Sequence, residues 1–245
     1  MIVDFVVQKA GRGPRAGRAL ILAALFSIFI SSLAVGNSAS PEWVINGTIS
    51  LQNAEEDDPS NVAVWLEPLV GQPRADSIER LAISQRNKQM VPRVVVATPG
   101  QQIDFPNNDP FPHNIFSNSE VKRFDLGIYQ PGESRGVTVV HPGIIPVYCN
   151  IHPEMEAFII VVQTPYYAIS NERGEIQIKN VPPGHYRLKV WHERAKQETL
   201  DALTRQVVVN SSGANLGNIK IDETGYQDAP HKNKLGREYT VYPDK

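Results

Sequence analysis

The chain of 245 residues is poor in sulfur, with one cysteine, Cys149, and three methionines. A single cysteine excludes an internal disulfide framework and any zinc site built from four thiolates. Charge of either sign is not in excess, since 24 Lys and Arg face 26 Asp and Glu for a formal −2, which argues against a nucleic-acid partner. No Gly-rich phosphate loop, Ser-His-Asp arrangement or paired catalytic carboxylates stands out, and no internal repeat or low-complexity tract is present. What the chain does have is 41% apolar residues, enough for a real core over one large or two ordinary domains.

The first forty residues differ from the rest. Lys9, Arg12, Arg15 and Arg18 precede the apolar run Ala19 to Gly36, and small residues follow up to Ser40. This is the layout of a secretory signal peptide over residues 1–39, with cleavage after Gly36 or Ala39. The run is barely long enough to span a bilayer, so an uncleaved anchor is the alternative and the only route to membrane contact. No adjacent arginine pair precedes it, which favours the general secretory route over twin-arginine transport. A periplasmic or otherwise extracytoplasmic location is therefore expected.

Past the leader, short apolar runs alternate with turn residues, and no helical period persists. Fourteen candidate strands between Val44 and Ile221 predict an all-β chain of two sandwiches rather than one. Reversals fall at Asn107 to Pro110, Gln130 to Glu133, Asn171 to Gly174 and Pro182 to Gly184. The segment Pro73 to Gln89 reads as a connecting loop with a short helical turn, and the polar tail from Asp222 as a surface segment with His231 solvated.

Chemistry concentrates in Val147 to Met155, VYCNIHPEM, where Cys149, His152 and Met155 stand at C-x2-H-x2-M spacing on a loop between two strands. A thiolate and imidazoles bind copper strongly and a thioether makes a weak axial contact, so the set suits a trigonal site that lacks one histidine. His113, in FPHNIFS, is the candidate for it. Zinc is the chemical rival, though Met155 would then be idle and no carboxylate is placed as a base. Taken singly, each of these residues is ordinary core or turn material. Beyond the leader, however, Met155 has only Met90 for company among methionines, which makes the cluster hard to assign to chance.

PHNIF followed by VYCNIHPEM resembles the cupredoxins, the plastocyanin, azurin and amicyanin group, over roughly Gln89 to Val162. The resemblance implies a Greek-key β-sandwich binding one type 1 copper ion, with His113, Cys149 and His152 as equatorial ligands and Met155 axial. It also implies that Asn114 ties the His113 strand to the Cys149 loop by hydrogen bonds. The stretches around Gly47-Thr48-Ile49 and SNERGEIQIKNVPPGHYRLKVWHE look like a carboxypeptidase regulatory-like, or transthyretin-like, sandwich. The division this implies is 40–72 and 164–222 for that second sandwich, 73–163 for the cupredoxin domain inserted in or fused to it, and 223–245 for a tail. The pairing is similar to bacterial methylamine-utilisation or plastocyanin-like proteins.

The function so implied is an exported blue copper electron carrier cycling between Cu(I) and Cu(II), not an enzyme, with a transient redox partner protein. Copper binding or delivery without redox turnover, and an extracytoplasmic binding module with a secondary copper site, are the alternatives. Tyr226, Tyr239 and Tyr242 are the support for the binding module. His141, His185, His192 and His231 are too scattered to build a second, catalytic copper.

Overall fold

The computed structural model describes residues 43–71, 73, 79–227 and 231–239. The proposed leader, the stretch 74–78 and Tyr242 lie outside these residues. The chain is all-β, with a single short helix, Gln197–Ala202, among the described residues. No helix among them is long and apolar enough to cross a membrane.

The contiguous segment 81–161 builds one pair of sheets. A five-stranded sheet runs in the order Val94–Ala97, Glu156–Val161, Gly143–Cys149, His113–Ser117 and Phe124–Tyr129. Its first pair is parallel and the others are antiparallel. Facing it are Ser134–Thr138, Gln102–Pro106 and Leu81–Ala82, beside the hairpin Ser84–Arg86 and Gln89–Val91. Period-two alternation explains the core: Ile103 and Phe105 point in while Gln102 and Asp104 stay partly exposed. Together with Ile115, Ile145, Val147 and Ile159 they fill one hydrophobic cluster that also encloses Cys149 and Met155.

The chain before and after this segment builds a second pair. Ile45–Gln52 pairs antiparallel with Glu175–Ile178 and parallel with Ala214–Asp222. Ala63–Pro68 lies between Tyr167–Ile169 and Gly184–Trp191, with Arg205–Val209 at the edge. Ile45, Val64, Leu66, Leu188 and Ile219 make its core.

A third cluster joins the two pairs. Val94, Val96 and Ile160 on one sheet meet Ala63, Trp65 and Trp191 on the other, and Phe158 packs at a tilt against Trp191 with ring centroids 4.9 Å apart. This is why VVVA at 94–97 is buried at every position: alternate residues enter different cores. At ~1.5–3 kcal/mol for each fully buried Val, Leu or Ile side chain, such a strand is held from both faces. Trp65 and Trp191 thus pack between the two pairs of sheets.

The segment expected to be loop with a helical turn holds strands from Leu81 to Val91 instead. Only Ile83 and Met90 are apolar and buried there, and the buried Gln85 fills the inward position between them. Ile83 falls between two strands and Ser84–Arg86 holds no apolar residue, so no period-two pattern shows. The helix Gln197–Ala202 buries Leu200 alone, so it has no apolar stripe to announce it.

At the reversal Asn171 to Gly174, Gly174 has φ +72 and donates to Asn171 while its carbonyl accepts from Ile49. A Cβ there would lie 2.3 Å from the Ile49 oxygen. Gly174→Ala is expected to cost at least ~2 kcal/mol from left-handed strain and backbone clash. The urea midpoint of unfolding checks it, and an unshifted midpoint would contradict this turn.

Candidate metal centre

His113 opens a wholly buried strand next to the edge of the five-stranded sheet, and Cys149 ends the central strand, paired with it through Cys149 and Ile115. From Cys149 the chain makes a tight loop. The Cys149 amide donates to the Met155 carbonyl at 3.0 Å and the Met155 amide to the His152 carbonyl at 3.1 Å, closing 149–155 on itself. Three side chains converge as a result. His113 Nδ1 lies 3.2 Å from His152 Nδ1, and each lies 3.7 Å from Cys149 Sγ. Among the described residues this is the one group of three such donors close enough to share an ion. Met155 is fully buried in the core cluster that contains Cys149.

His113 is held on its far side by a residue that the sequence did not single out. Its Nε2 lies 2.9 Å from an oxygen of Asp109, which is itself buried. The same carboxylate accepts from the backbone amides of Asn87 at 2.5 Å and Lys88 at 3.0 Å. Those two residues, both at φ +56, are the turn of the hairpin beside the site. The Asp109 amide in turn donates to Asn107 Oδ1, and Asn107 Nδ2 donates to the Phe111 carbonyl, so the 107–113 turn is fixed from within. Burial raises the Asp109 carboxyl, but the Lys88 amide, the His113 ring and the Asn87 amide outweigh it and leave the group below its usual value. An ionised carboxylate on Nε2 places the imidazole proton there and leaves Nδ1 as a bare lone pair facing the other two donors. The sequence signal was an acid four residues before the histidine, but an Asp in a proline-rich turn ordinarily faces water.

The thiol of Cys149 is raised by burial, against which amides of Asn114, Ile151 and His152 act on the sulfur. The Ile151 amide donates to Sγ at 3.4 Å. These donors stabilise a thiolate more than a thiol. Burial also lowers both imidazoles, with His113 and Lys88 adding to the effect at His152. Neutral imidazoles and a hydrogen-bonded sulfur are the state that ligates metals. Asn114 does link the two strands, but through its backbone: its carbonyl accepts from the Asn150 amide at 2.8 Å. Its side chain turns away and donates to Asp125 at 2.6 Å. Phe111 packs against both imidazoles, with centroids 5.4 Å from His113 and 5.3 Å from His152. His152 itself is half-buried, between the exposed Ile151 and Pro153.

The donor set can be tested for fit. A point equidistant from three atoms so spaced lies about 2.1 Å from each, close to the ~2.0–2.3 Å of metal–imidazole and metal–thiolate bonds. Two imidazoles and one thiolate in a plane are a copper-type set. The remaining histidines are elsewhere. His141 and His185 are exposed, and His231 is stacked on Tyr148 rather than solvated, with centroids 4.1 Å apart.

His192 is buried against Glu223, with Nε2 to Oε1 2.8 Å, and Arg194 shares that carboxylate. Burial lowers His192 despite Glu223, while Arg194 adds to the lowering and Glu193 opposes it. Asp58 also feels its charge. An unfolded histidine near 6.5 therefore takes its proton first, and stability present above that pH is lost as pH falls toward the lower folded value. In the metal-free protein, His192→Gln is expected to flatten the fall in urea midpoint between pH 7 and 5. His113 and His152 titrate in the same direction in both proteins, so equal slopes in parent and variant would refute the assignment.

Fold and site together define an all-β protein of paired sheets with a His-Cys-His group, His113 and Cys149 buried and His152 half-buried, at the end of one pair. No protein-family model and no curated protein matches the chain. Among solved structures, it is similar to a purple cupredoxin from Nitrosopumilus maritimus, at 19% identity over 34% of this chain and 99% of that one, with a TM-score of 0.32. It is also similar to amicyanin from Paracoccus versutus, at 17% identity over 37% of this chain and 85% of that one, with a TM-score of 0.32. A third likeness is to the copper-containing nitrite reductase NirK of Thermus scotoductus SA-01, at 21% identity over 39% of this chain and 25% of that one, with a TM-score of 0.33.

Proposed function

We propose that this protein is an exported type 1 copper protein that carries single electrons to and from a transient partner, and that it is not itself an enzyme. The observation that carries the reading is the triangle of His113 Nδ1, His152 Nδ1 and Cys149 Sγ, spaced for one ion, at the mouth of a core that buries Met155. Bound copper would supply a Cu(I)/Cu(II) couple. His113, His152 and Cys149 would hold it, with Met155 as a further, weaker donor.

The chain's own residues then do three things. The hydrogen-bonded turn 107–113 and the closed loop 149–155 hold the donors in place, so that little has to move when the charge changes. Phe111 packs against both imidazoles beside the wholly buried His113 and Cys149. The half-buried edge of His152, among Ile151, Pro112 and Pro153, offers a small apolar contact of the kind a short-lived redox encounter uses. A four-ligand set leaves no place for a substrate, which favours a carrier over a catalyst. The second pair of sheets, read as carboxypeptidase regulatory-like, would serve as a platform packed on the outer face of the first. An extracytoplasmic location follows from the leader-like residues 1–39.

The test is the absorption and paramagnetic-resonance spectrum of the copper-loaded protein. One copper per chain with an intense thiolate-to-copper band is expected. A colourless copper complex, or zinc bound in its place with no copper colour under any loading condition, would defeat the reading.

A further inference from the structure

The described tail segment 231–239 lies across the residues around Cys149. The Tyr239 hydroxyl donates to the Cys149 carbonyl at 2.7 Å, and the Lys234 amide donates to Asn150 Oδ1 at 3.0 Å. His231 stacks on Tyr148 at 22° and meets Tyr239 edge-on at 5.3 Å. Lys234 Nζ pairs with Asp125 at 2.7 Å, the carboxylate that also receives the Asn114 side chain. Three consecutive residues, Tyr148, Cys149 and Asn150, are thus each engaged by the tail. The shortest link runs from the Cys149 sulfur through its own backbone to its carbonyl, and across one hydrogen bond to an aromatic ring.

The outer side of the same segment has a distinct character. Lys232 and Arg237 are exposed there beside one acid, Glu238, while Lys234 is turned to Asp125, in a chain whose formal charge is −2. Lys232 approaches Glu238 at 3.9 Å but keeps 62% of its side chain exposed. Between the basic residues Leu235 is 70% exposed. An apolar tip with a basic rim is an arrangement that draws an acidic surface by charge and seats it by apolar contact.

We propose that the segment 231–239 is a second electron-transfer face, separate from the His152 edge, that docks an acidic one-electron redox partner and connects it to Cys149 through Tyr239. The proposal rests on the electron-carrier reading above. The step is a single electron passing from Cu(I) to a one-electron acceptor; no bond forms or breaks and no proton moves.

Hexacyanoferrate(III), itself reduced to hexacyanoferrate(II), stands in for an anionic acceptor. Its reduction by the copper-loaded Cu(I) protein is followed by stopped flow at low and high salt. Three variants are compared with the parent: Tyr239→Phe, Arg237→Glu and, as a control at the His152 edge, Lys88→Glu, whose Nζ lies 5.7 Å from the Phe111 ring. Absorption spectrum and reduction potential are recorded for each. Arg237→Glu should slow the reaction on the order of tenfold at low salt and much less at high salt. Tyr239→Phe should slow it severalfold at both. Rates unchanged in both variants, whether or not Lys88→Glu slows the reaction, would overturn the proposal while leaving the carrier reading intact. If Tyr239→Phe alters the spectrum, it acts on the Cys149 geometry, and the exposed Arg237 decides. A parent that binds copper without a reversible colour change would fail both readings at once.

Discussion

Cys149→Ser is expected to remove the intense visible band of the oxidised copper protein completely while leaving the fold in place. The band requires sulfur. A serine oxygen is a hard, protonated ligand at neutral pH and cannot supply the soft thiolate that the site is arranged around. The fold should survive because the substitution is close to isosteric and the new hydroxyl can still accept from the Ile151 amide, which now donates to Sγ at 3.4 Å. The strand register through Tyr148 and Cys149 depends on backbone bonds that the change leaves alone. Far-ultraviolet circular dichroism and the visible spectrum measured on one sample separate the two effects. A retained blue band would mean that the thiolate is not a ligand. A lost fold would mean that the buried sulfur is needed for packing, and His152→Ala, at the half-exposed edge, would then carry the ligand test.

Much of this site could be read from the sequence because its donors are dense and chemically rare. Cys149, His152 and Met155 sit within seven residues, and two apolar strands flank them, so a loop presenting soft ligands follows from local pattern alone. His113 was harder, since it is 36 residues away and only the strand pairing brings it in. The structure places its Nδ1 beside the other two donors. Asp109 and Tyr239 were out of reach for a different reason. Tyr239 reaches Cys149 from 90 residues away and Asp109 is turned inward by the amides of Asn87 and Lys88 on a separate hairpin, and neither belongs to an apolar period that would advertise burial. The tail carries HKNKLGRE, which has no hydrophobic pattern, yet it is anchored by amides, a ring stack and one hydroxyl. The two-sandwich expectation came from counting short strands and turn residues. What it could not supply was the contact between the pairs of sheets, because Val94 and Val96 look the same as Val95 in sequence while pointing into a different core.

Asp109→Ala is expected to affect stability and redox chemistry together, because one carboxylate serves both. In the folded protein it accepts from the amides of Asn87 and Lys88 and from His113 Nε2. Alanine leaves all three donors without a partner beside a closed hairpin turn in which both central residues are left-handed. Only His113 is wholly buried, while Asn87 and Lys88 are exposed and their amides can turn to water, so at ~1–3 kcal/mol for one buried donor left unsatisfied a loss of about 1–3 kcal/mol is expected for the metal-free protein. The second effect passes through the imidazole. With the anion gone, His113 Nδ1 is a weaker donor, and both nitrogens become open to the proton. The higher oxidation state of copper depends more on that donor strength, so its binding should weaken more than that of Cu(I). Loss of such a supporting partner costs ~10–100-fold in metal affinity. The reduction potential should then rise by ~59 mV for every tenfold by which Cu(II) binding weakens relative to Cu(I). Asp109→Asn separates the two effects. Its amide oxygen can still accept one of the three bonds and recover part of the stability, but it carries no charge and should leave the potential raised. Potentials equal to the parent in both variants, measured on protein that unfolds in a single transition, would show that Asp109 secures the hairpin and has no hold on the ligand it touches.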